Sequence, residues 1–185
     1  SQIIDADAEK NYLIAAYLFD ETELKKYMRK NKEEQLVTGL LYLDNYEEAL
    51  ESVEEVRSSL LIALIDRKIN KYFAAIDGVV KKLEKDKYFL VMRRKSLEQL
   101  KEKKFNILEE VKSVNIGNEM AVTISIGIGI NADSFAHTSE AARIAMELAL
   151  GRGGDQVVIK EGNNITYFGG KSQMMEKTTR VKARV

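Results

Sequence analysis

Residues 78–92 read Gly78-Val-Val-Lys-Lys-Leu-Glu-Lys-Asp-Lys-Tyr-Phe-Leu-Val-Met92. Two β-prone runs flank the charged stretch Glu84–Lys87, and polar residues between such runs are typical of a turn. We therefore predict a β-hairpin here. Because a turn exposes its side chains to water, its charges are available for binding. Asp86 either binds a ligand there or simply keeps the turn hydrated.

Upstream of the hairpin, the sequence predicts one strand followed by helices. Val37–Leu43 is an apolar, β-prone run that predicts a buried strand. A short helix over Glu47–Val53 comes next. Apolar residues then recur at helical spacing over Arg57–Ile76 and predict a long helix, which Asp77-Gly78 ends.

Downstream, a helix and a strand follow the hairpin. Ser96 with Gln99 matches a capping box and predicts a helix that extends to Val111. Val122–Ile130 alternates isoleucine or valine with small residues, which predicts a strand with two distinct faces. Its small-residue face favours close approach by a helix or a ligand.

The last elements are a helix and two short strands. Thr138 or Ser139 is the expected cap of a helix that runs to Leu150. Gln156–Lys160 and Ile165–Phe168 are predicted strands. The whole order predicts an α+β fold, a ferredoxin-like βαββαβ core with an antiparallel sheet and packed helices.

The two ends of the chain are interpreted as connecting segments. We expect residues 1–35 to hold a strand remnant at Tyr12–Phe19 and a linker helix that Asp20 caps. The thin apolar stripe of this helix requires a partner for stability. Residues 36–170 form the expected domain, and residues 171–185 a linker.

Composition excludes several classes of site. With no cysteine and one histidine, His137, the chain has no means to build a structural zinc site or a Cys/His nucleophile. We expect His137 to be a surface residue. No apolar run is long enough to span a membrane.

Residues 81–104 carry a basic excess that either meets phosphates or is solvated, but no polynucleotide-binding motif is present.

Two carboxylates are candidate metal ligands. Asp44 ends the first strand and Asp86 lies in the hairpin turn, so neighbouring strands would bring both to one edge. Mg²⁺ binds one or two carboxylates together with phosphates and water. The alternative is that Asp44-Asn45 forms a strand-end turn or a helix cap and that Asp86 is a solvated turn residue. The run Gly151–Gly154 follows a helix rather than opening one, which favours a C-terminal cap over a phosphate loop.

Two motifs resemble the GGDEF family, the diguanylate cyclases. Val122-Thr-Ile-Ser-Ile-Gly127 is similar to the family strand V-T-x-S-I-G, and Gly154-Asp-Gln-Val-Val158 to its closing G-R-N-x-V. The resemblance covers about residues 37–168 and implies a GGDEF-like fold.

Most of the groups that the cyclase reaction requires are replaced. By the resemblance, Asp86 keeps the acidic, metal-binding third position of the signature and Asp44 keeps one metal-binding Asp, but Lys87 replaces the acidic fourth position. Glu84-Lys-Asp-Lys-Tyr88 occupies the signature position, so two residues with side chains replace the glycines that let the nucleotide approach. Tyr42 replaces the first metal-binding Asp of the family, and Leu50 its guanine-reading Asn. Ala74–Asp77 occupies the place of the R-x-x-D product-inhibition motif. The resemblance therefore implies no cyclase activity.

Two phrases resemble more closely the degenerate GGDEF domain of the GdpP/YybT family of cyclic-di-AMP phosphodiesterases. These are Leu41-Tyr-Leu-Asp-Asn-Tyr-Glu-Glu48 and Ala149-Leu-Gly-Arg-Gly-Gly-Asp-Gln156. That family is anchored in the membrane by two transmembrane helices, followed by PAS, degenerate GGDEF, DHH and DHHA1 domains. The resemblance implies that residues 1–35 end a PAS domain and its signalling helix, and that residues 171–185 lead to a DHH domain.

The resemblance implies a cytoplasmic regulatory module, working as a dimer, which relays PAS signals to a phosphodiesterase (hydrolase) domain that this chain lacks. The alternative is a domain that binds ATP with Mg²⁺ or Mn²⁺ and hydrolyses it weakly. Asp44 and Asp86 would then hold the metal. The expected nucleotide-binding residues, metal ligands included, are Asp44, Asn45, Lys85, Asp86, Lys87 and Arg152.

Overall fold

A computed structural model describes residues 19–51, 53–130 and 134–170. The chain divides into two compact units, Ser1–Glu33 and Glu34–Val185. Helix α1 spans Thr22–Glu34, and Asp20 Oδ1 accepts a hydrogen bond from the amide of Thr22 at its start. No residue of α1 is buried. Most of the predicted strand Tyr12–Phe19 and all of residues 171–185 lie outside the described residues.

The second unit is a six-stranded sheet with helices on both faces. The strands are ordered β2-β3-β1-β4-β5-β6. Every pair is antiparallel except β4 with β5, which is parallel. The α+β class is confirmed, and the sheet is mixed where we expected it to be antiparallel. The elements are β1 (Leu36–Leu43), α2 (Tyr46–Glu51), α3 (Glu55–Ala74), β2 (Val79–Lys82), β3 (Lys87–Arg93), α4 (Arg94–Glu102), α5 (Ile107–Lys112), β4 (Ile124–Ile130), α6 (Phe135–Gly151), β5 (Gln156–Glu161) and β6 (Asn164–Gly169).

The predicted hairpin is confirmed as β2 and β3. The amides of Leu83 and Glu84 both donate to the carbonyl of Lys87, which closes the turn. Alternate residues of β3, namely Tyr88, Leu90 and Met92, are buried. This alternation places one face of the hairpin in the core and leaves its turn in water.

Strand β4 is buried on both faces because helices cover both. The isoleucines at its even positions pack into the main core. On the other face, a β-carbon built on Gly127 would lie 2.3 Å from the Met146 amide nitrogen, and one on Gly129 would lie 2.0 Å from the Thr138 carbonyl oxygen. The close approach predicted for the small-residue face is therefore made by a helix, α6.

The opposite face of the sheet packs against α3, α4 and α5 through large side chains. Leu61, Ile65, Ile69 and Phe73 of α3 are all buried. They recur at positions i, i+4, i+8 and i+12, the spacing of one helical face. This layer forms the larger core of the unit.

The predicted cap at Ser96 is wrong. Ser96 lies within α4, is buried, and donates from its hydroxyl to the carbonyl oxygen of Ile76 at 2.7 Å. The helix starts directly at the end of β3, where Arg93 occupies the N-cap position without a side-chain hydrogen bond. Ser96 therefore ties α4 to the end of α3 instead of capping its own helix.

The single helix expected over residues 96–111 is two helices. Lys104 and Phe105 adopt positive φ angles of 50° and 51°, which stops α4 before α5 begins. Such angles are unfavourable for residues with side chains. Phe105 is fully buried and its ring lies 5.0 Å from that of Phe168 between centroids. Burial of this ring is the compensation for the strained turn.

The cap of α6 lies four or five residues earlier than the predicted Thr138 or Ser139. Ser134 is the N-cap, and its side chain accepts from the amide of His137 at 3.2 Å. Thr138 is therefore inside the helix and buried. His137 is exposed, as expected, but it lies in the first turn of α6 and not in the surface loop that the sequence analysis favoured. The helix ends at Gly151, which confirms that the glycine run closes a helix.

Candidate functional site

Asp44 holds together the ends of three strands. Its Oδ2 atom accepts from the Thr123 hydroxyl at 3.1 Å and from the Asp155 amide at 2.9 Å. Its own amide donates to the Thr123 carbonyl oxygen at 3.0 Å. Its Oδ1 atom is buried and has no hydrogen-bond partner among the described residues.

The loop after α6 presses directly against this carboxylate. Gly154 has φ of +74°, and a β-carbon there would lie 2.9 Å from the Asp44 carboxyl group. A side chain at this position would therefore be both strained and in collision. The absence of a side chain lets the backbone amide of Asp155 reach Asp44.

Asn45 uses both ends of its amide to hold the segment before β4. Its Nδ2 donates to the Ala121 carbonyl oxygen at 2.8 Å, and its Oδ1 accepts from the Thr123 amide at 3.0 Å. The predicted nucleotide-binding role of Asn45 stays a prediction. In the structure its side chain is already engaged within the fold.

Asp155 extends this network to α5. Its Oδ2 atom lies 2.7 Å from Lys112 Nζ, and its Oδ1 atom is buried without a partner among the described residues. Burial lowers the pKa of Lys112, but hydrogen bonds to Asp155 and Glu109 outweigh it and raise the pKa overall. Lys112 is therefore held as a cation. We call Asp44, Asn45, Thr123, Gly154 and Asp155 the Asp44 edge.

The hairpin turn lies beside the Asp44 edge, joined to it through the backbone. The amide of Leu43 donates to the Asp86 carbonyl oxygen at 2.9 Å. Burial, followed by the negative charges of Asp66, Asp86 and Glu47, raises the pKa of Tyr46. The charge of Asp86 thus contributes to the raised pKa of Tyr46, whereas the carboxylate of Asp44 bonds toward β4 and β5.

Lys87 lies where the resemblance places an acidic residue. Its Nζ atom is 2.6 Å from Glu84 Oε2 and 5.6 Å from the centroid of the Tyr42 ring. The hydrogen bond to Glu84 raises the pKa of Lys87. Tyr42 itself stands at the position of the first metal-binding Asp. Lys87 thus packs as a cation on the ring that replaces one of the family's metal ligands.

Arg152 is not brought to the hairpin. Its guanidinium carbon lies 4.4 Å from the centroid of the Tyr167 ring, and its Nε donates to Gln156 Oε1 at 3.3 Å. Tyr167 is on β6, four strands from β3, a separation of roughly 19 Å at the usual strand spacing. Lys85 remains in the turn, exposed to solvent.

A network that the sequence analysis missed joins the hairpin to α3. The Tyr88 hydroxyl donates a short hydrogen bond to Asp66 Oδ1, and Lys82 Nζ lies 2.8 Å from Asp66 Oδ2. Burial, reinforced by Asp66, raises the pKa of Tyr88 far above its usual value. The available signal was one acidic residue beside the apolar stripe of α3.

The metal prediction can be compared with these contacts. Beyond Asp44 and Asp86, the described part of the chain holds no group of three or more His, Cys, Asp or Glu residues suited to a metal ion. Asp44 Oδ1 and Asp155 Oδ1 are both buried and have no hydrogen-bond partner among the described residues. The metal-binding role of Asp44 and Asp86 stays a prediction.

A family model for the GGDEF domain of cyclic-di-AMP phosphodiesterase GdpP-like proteins matches residues 41–167. The chain is 37% identical over 170 residues to the cyclic-di-AMP phosphodiesterase GdpP of Geobacillus thermodenitrificans. It is 34% identical over 170 residues to the cyclic-di-AMP phosphodiesterase PdeA of Listeria monocytogenes. Each match covers 91% of this chain and 26% of the relative, so the chain spans about a quarter of these proteins.

Solved structures share the fold at low identity. The active GGEEF domain of a diguanylate cyclase from Vibrio cholerae superposes with a TM-score of 0.58 at 11% identity, covering 74% of this chain and 90% of that one. The GGDEF domain of DgcB from Caulobacter crescentus superposes with a TM-score of 0.57 at 17% identity, covering 75% of this chain and 84% of that one.

In the described residues, no helix has the length and hydropathy that a membrane span requires. The match over residues 41–167 places the chain in the family of GGDEF domains of cyclic-di-AMP phosphodiesterases of the GdpP type.

Proposed function

We propose that this chain is a non-catalytic regulatory module of a membrane-anchored cyclic-di-AMP phosphodiesterase. In this proposal it transmits the state of a preceding PAS domain to a following DHH/DHHA1 phosphodiesterase unit. The relatives that support the proposal are phosphodiesterases of which the chain spans 26%. In this proposal the hydrolysis is carried out by the DHH/DHHA1 unit and not by this chain.

The observation that carries the proposal is the closure of the Asp44 edge. Asp44 bonds Thr123 and the Asp155 amide, and Gly154 packs against its carboxyl group. The fold is therefore retained while the residues that would meet a nucleotide at this edge bond one another. A closed edge of this kind suits a scaffold better than it suits cyclase chemistry.

Signal transmission requires an element that connects this domain to the preceding PAS domain. Helix α1 exposes Leu24, Tyr27 and Met28, which lie three and four residues apart on one face. Such a stripe is stable when a second apolar surface covers it. We propose a second copy of α1 as that surface, which makes the full-length protein a dimer through this helix.

The test compares the full-length protein with a version in which residues 36–170 are replaced by a flexible linker. We expect the linker version to hydrolyse cyclic-di-AMP without responding to the state of the PAS domain. A response of equal size in both versions would contradict the relay. Incubation of the chain with Mg-GTP is expected to yield no cyclic-di-GMP by chromatography.

A second proposal is a weak site for ATP with Mg²⁺ at the same edge. The buried and unbonded Oδ1 of Asp44 supports it, because such an oxygen is available to a cation. Most of the coordination shell would then have to come from phosphates and water. Calorimetry with Mg-ATP on the wild type and on Asp86→Ala tests this proposal. Absence of heat with the wild type at about 1 mM ligand, which corresponds to a binding free energy weaker than about −4 kcal/mol, would end it.

A further inference from the structure

The end of the sheet opposite the Asp44 edge is where α1 leads into the domain. Helix α1 ends at Glu34 and β1 begins at Leu36, while β3 ends at Arg93 and α4 begins directly at Arg94. Leu36 and Arg93 are paired residues of β1 and β3. The last residue of α1 therefore meets the first turn of α4, and Glu34 belongs to the same compact unit as α4.

Glu34 bridges two cations at the junction of β3 and α4. Its Oε2 atom lies 3.1 Å from Arg93 Nε, and its Oε1 atom lies 3.0 Å from Lys95 Nζ. All three side chains are partly exposed. A single exposed ion pair contributes little to stability, but one carboxylate held by two cations forms a small network with a defined geometry.

Arg94 makes the buried part of this contact. Its amide donates to the Gln35 carbonyl oxygen at 2.8 Å, and its Nη1 donates to Gln35 Oε1 at 3.5 Å. Its Nη2 donates to Glu161 Oε1 at 2.5 Å, and its side chain is only 12% exposed. Glu161 ends β5, so this guanidinium connects the residue after α1 with a strand two positions from β1. We call the following residues the Arg94 joint: Glu34, Gln35, Arg93, Arg94, Lys95 and Glu161.

The charges of the Arg94 joint are unfavourable for the helices that carry them. Glu34 is at the C-terminal end of α1, where the helix dipole disfavours a negative charge. Arg94 and Lys95 are in the first turn of α4, where a cation is disfavoured and where neither an acidic residue nor a side-chain cap is present. Each of these charges is compensated by an opposite charge across the joint. Local helix stability therefore does not explain the residues at these positions, whereas the contact between the two helix ends does.

Helix α4 is in turn tied to α3. The buried Ser96 hydroxyl donates to the Ile76 carbonyl oxygen at 2.7 Å, just after α3 ends. Leu97 and Leu100 of α4 are fully buried in the main core. The first turn of α4 is therefore connected both to the end of α1 and to the end of α3, close to the start of the hairpin at Val79.

We propose that the Arg94 joint is the point at which a change in α1 is coupled to the domain. While Glu34 is held by Arg93 and Lys95, the end of α1 and the start of α4 move together. When the joint opens, α1 is released from α4, and the domain remains folded because the hydrophobic core does not include these residues. The inference rests on the proposed relay and adds to it the contact through which the signal enters.

The test is a charge reversal at Glu34 in the full-length protein. Glu34→Lys sets a third cation against Arg93 and Lys95, and like charges repel each other. Basal hydrolysis of cyclic-di-AMP should stay within about twofold of wild type, because the change is on the surface. The response of that rate to the state of the PAS domain should fall at least about fivefold. Lysine at the end of α1 suits the helix dipole, so an unravelled helix does not explain such a loss.

Glu33→Lys is the matched control. Glu33 carries the same charge next to Glu34, but its ion pair is with Arg29 of the same helix. This variant should keep the PAS response within about twofold of wild type. The triple variant Glu34→Lys/Arg93→Glu/Lys95→Glu restores both ion pairs with reversed signs, and it should recover at least about half of the response.

A second readout uses the 185-residue chain and needs no PAS domain. The Arg94 amide donates to Gln35, so its hydrogen exchange, followed by NMR, reports on opening of the joint. Exchange should be at least about fivefold faster in Glu34→Lys and within about twofold of wild type in Glu33→Lys. Circular dichroism checks that each variant is folded.

Four outcomes would overturn the proposal: a wild-type PAS response in Glu34→Lys, equal loss of response in Glu34→Lys and Glu33→Lys, no recovery in a folded triple variant, and unchanged exchange of the Arg94 amide in Glu34→Lys. Failure of the relay itself is seen separately. In that case the version with a flexible linker in place of residues 36–170 responds as the wild type does, and the joint falls together with the relay. A wild-type response in Glu34→Lys overturns the joint alone.

Discussion

The Asp44 edge and the Arg94 joint hold the two ends of the sheet by different means. At the edge, Asp44 accepts hydrogen bonds from the Thr123 hydroxyl and the Asp155 amide, and Gly154 packs against its carboxyl group. At the joint, Glu34 is held by the charges of Arg93 and Lys95, and all three side chains are partly exposed. The edge therefore depends on close packing, whereas the contact of Glu34 depends on charge.

This difference teaches which end of the sheet can open without unfolding the domain. At the edge, a shift leaves buried polar groups without partners, which is costly. At the joint, water replaces the lost partners of Glu34, so opening that contact costs little. Stability measurements can therefore separate the two regions.

The largest effect is expected from Gly154→Ala. The new β-carbon would be strained at φ of +74° and would lie 2.9 Å from the Asp44 carboxyl group. We expect a loss of about 3 kcal/mol in the free energy of unfolding, which combines a left-handed penalty with overpacking. Urea denaturation measures it.

Gly153→Ala is the matched control for that change. Gly153 also has positive φ, but a β-carbon there would meet no atom within 4 Å. Only the backbone penalty of about 1 kcal/mol should appear. Equal losses in the two variants would mean that Gly154 is not packed against Asp44 in solution.

Asp66→Ala is expected to rank second. The substitution leaves the buried Tyr88 hydroxyl without an acceptor and Lys82 without its ion pair. The expected loss is about 2 kcal/mol. Tyr88→Phe removes the donor instead and should cost less, because no buried group is then unsatisfied. A larger loss for Tyr88→Phe would show that Asp66 is bonded elsewhere.

Asp44→Ala should rank third. It removes the acceptor of the Thr123 hydroxyl and the Asp155 amide. We expect a loss of about 1.5 kcal/mol in urea denaturation. Asp44→Asn keeps one acceptor oxygen and should lose about half as much. If both variants were as stable as the wild type, the Asp44 edge would not be a structural network.

The smallest effect is expected at the Arg94 joint. Glu34→Gln removes the carboxylate between Arg93 and Lys95, both of which are partly exposed. At low salt, the free energy of unfolding in urea should fall by about 0.5 kcal/mol. Because salt screens exposed charges, the difference should disappear in roughly 1 M NaCl. A loss that persists at high salt would mean that this contact depends on packing as well, and the contrast between edge and joint would fail.

The hairpin and the strands were predictable because their signals are local. Alternation of buried residues in β3 and of small residues in β4 appears directly in the sequence. Helix starts were less accessible. Ser96 matches a capping box but bonds Ile76 of another segment, a tertiary contact that local pattern does not contain.

The site was predictable only in part, for the same reason. Asp44 and Asp86 do end neighbouring strands, and Leu43 bonds the Asp86 carbonyl oxygen as the hairpin geometry requires. The partners of Asp44 come from residues 79 and 111 positions away. The Arg94 joint was not predictable for the same reason, since Lys95 lies 61 positions from Glu34.

The contact of α6 with Gly127 and Gly129 limits how this unit can move. Helices shear over a sheet when side chains between them change rotamer, and here backbone lies against backbone with no side chain to adjust. Helix α6 and β4 therefore shift as one piece. Sliding is left to the opposite layer, where α3, α4 and α5 pack through long side chains. In the relay that we propose, this layer is the one through which a mechanical signal would cross the unit.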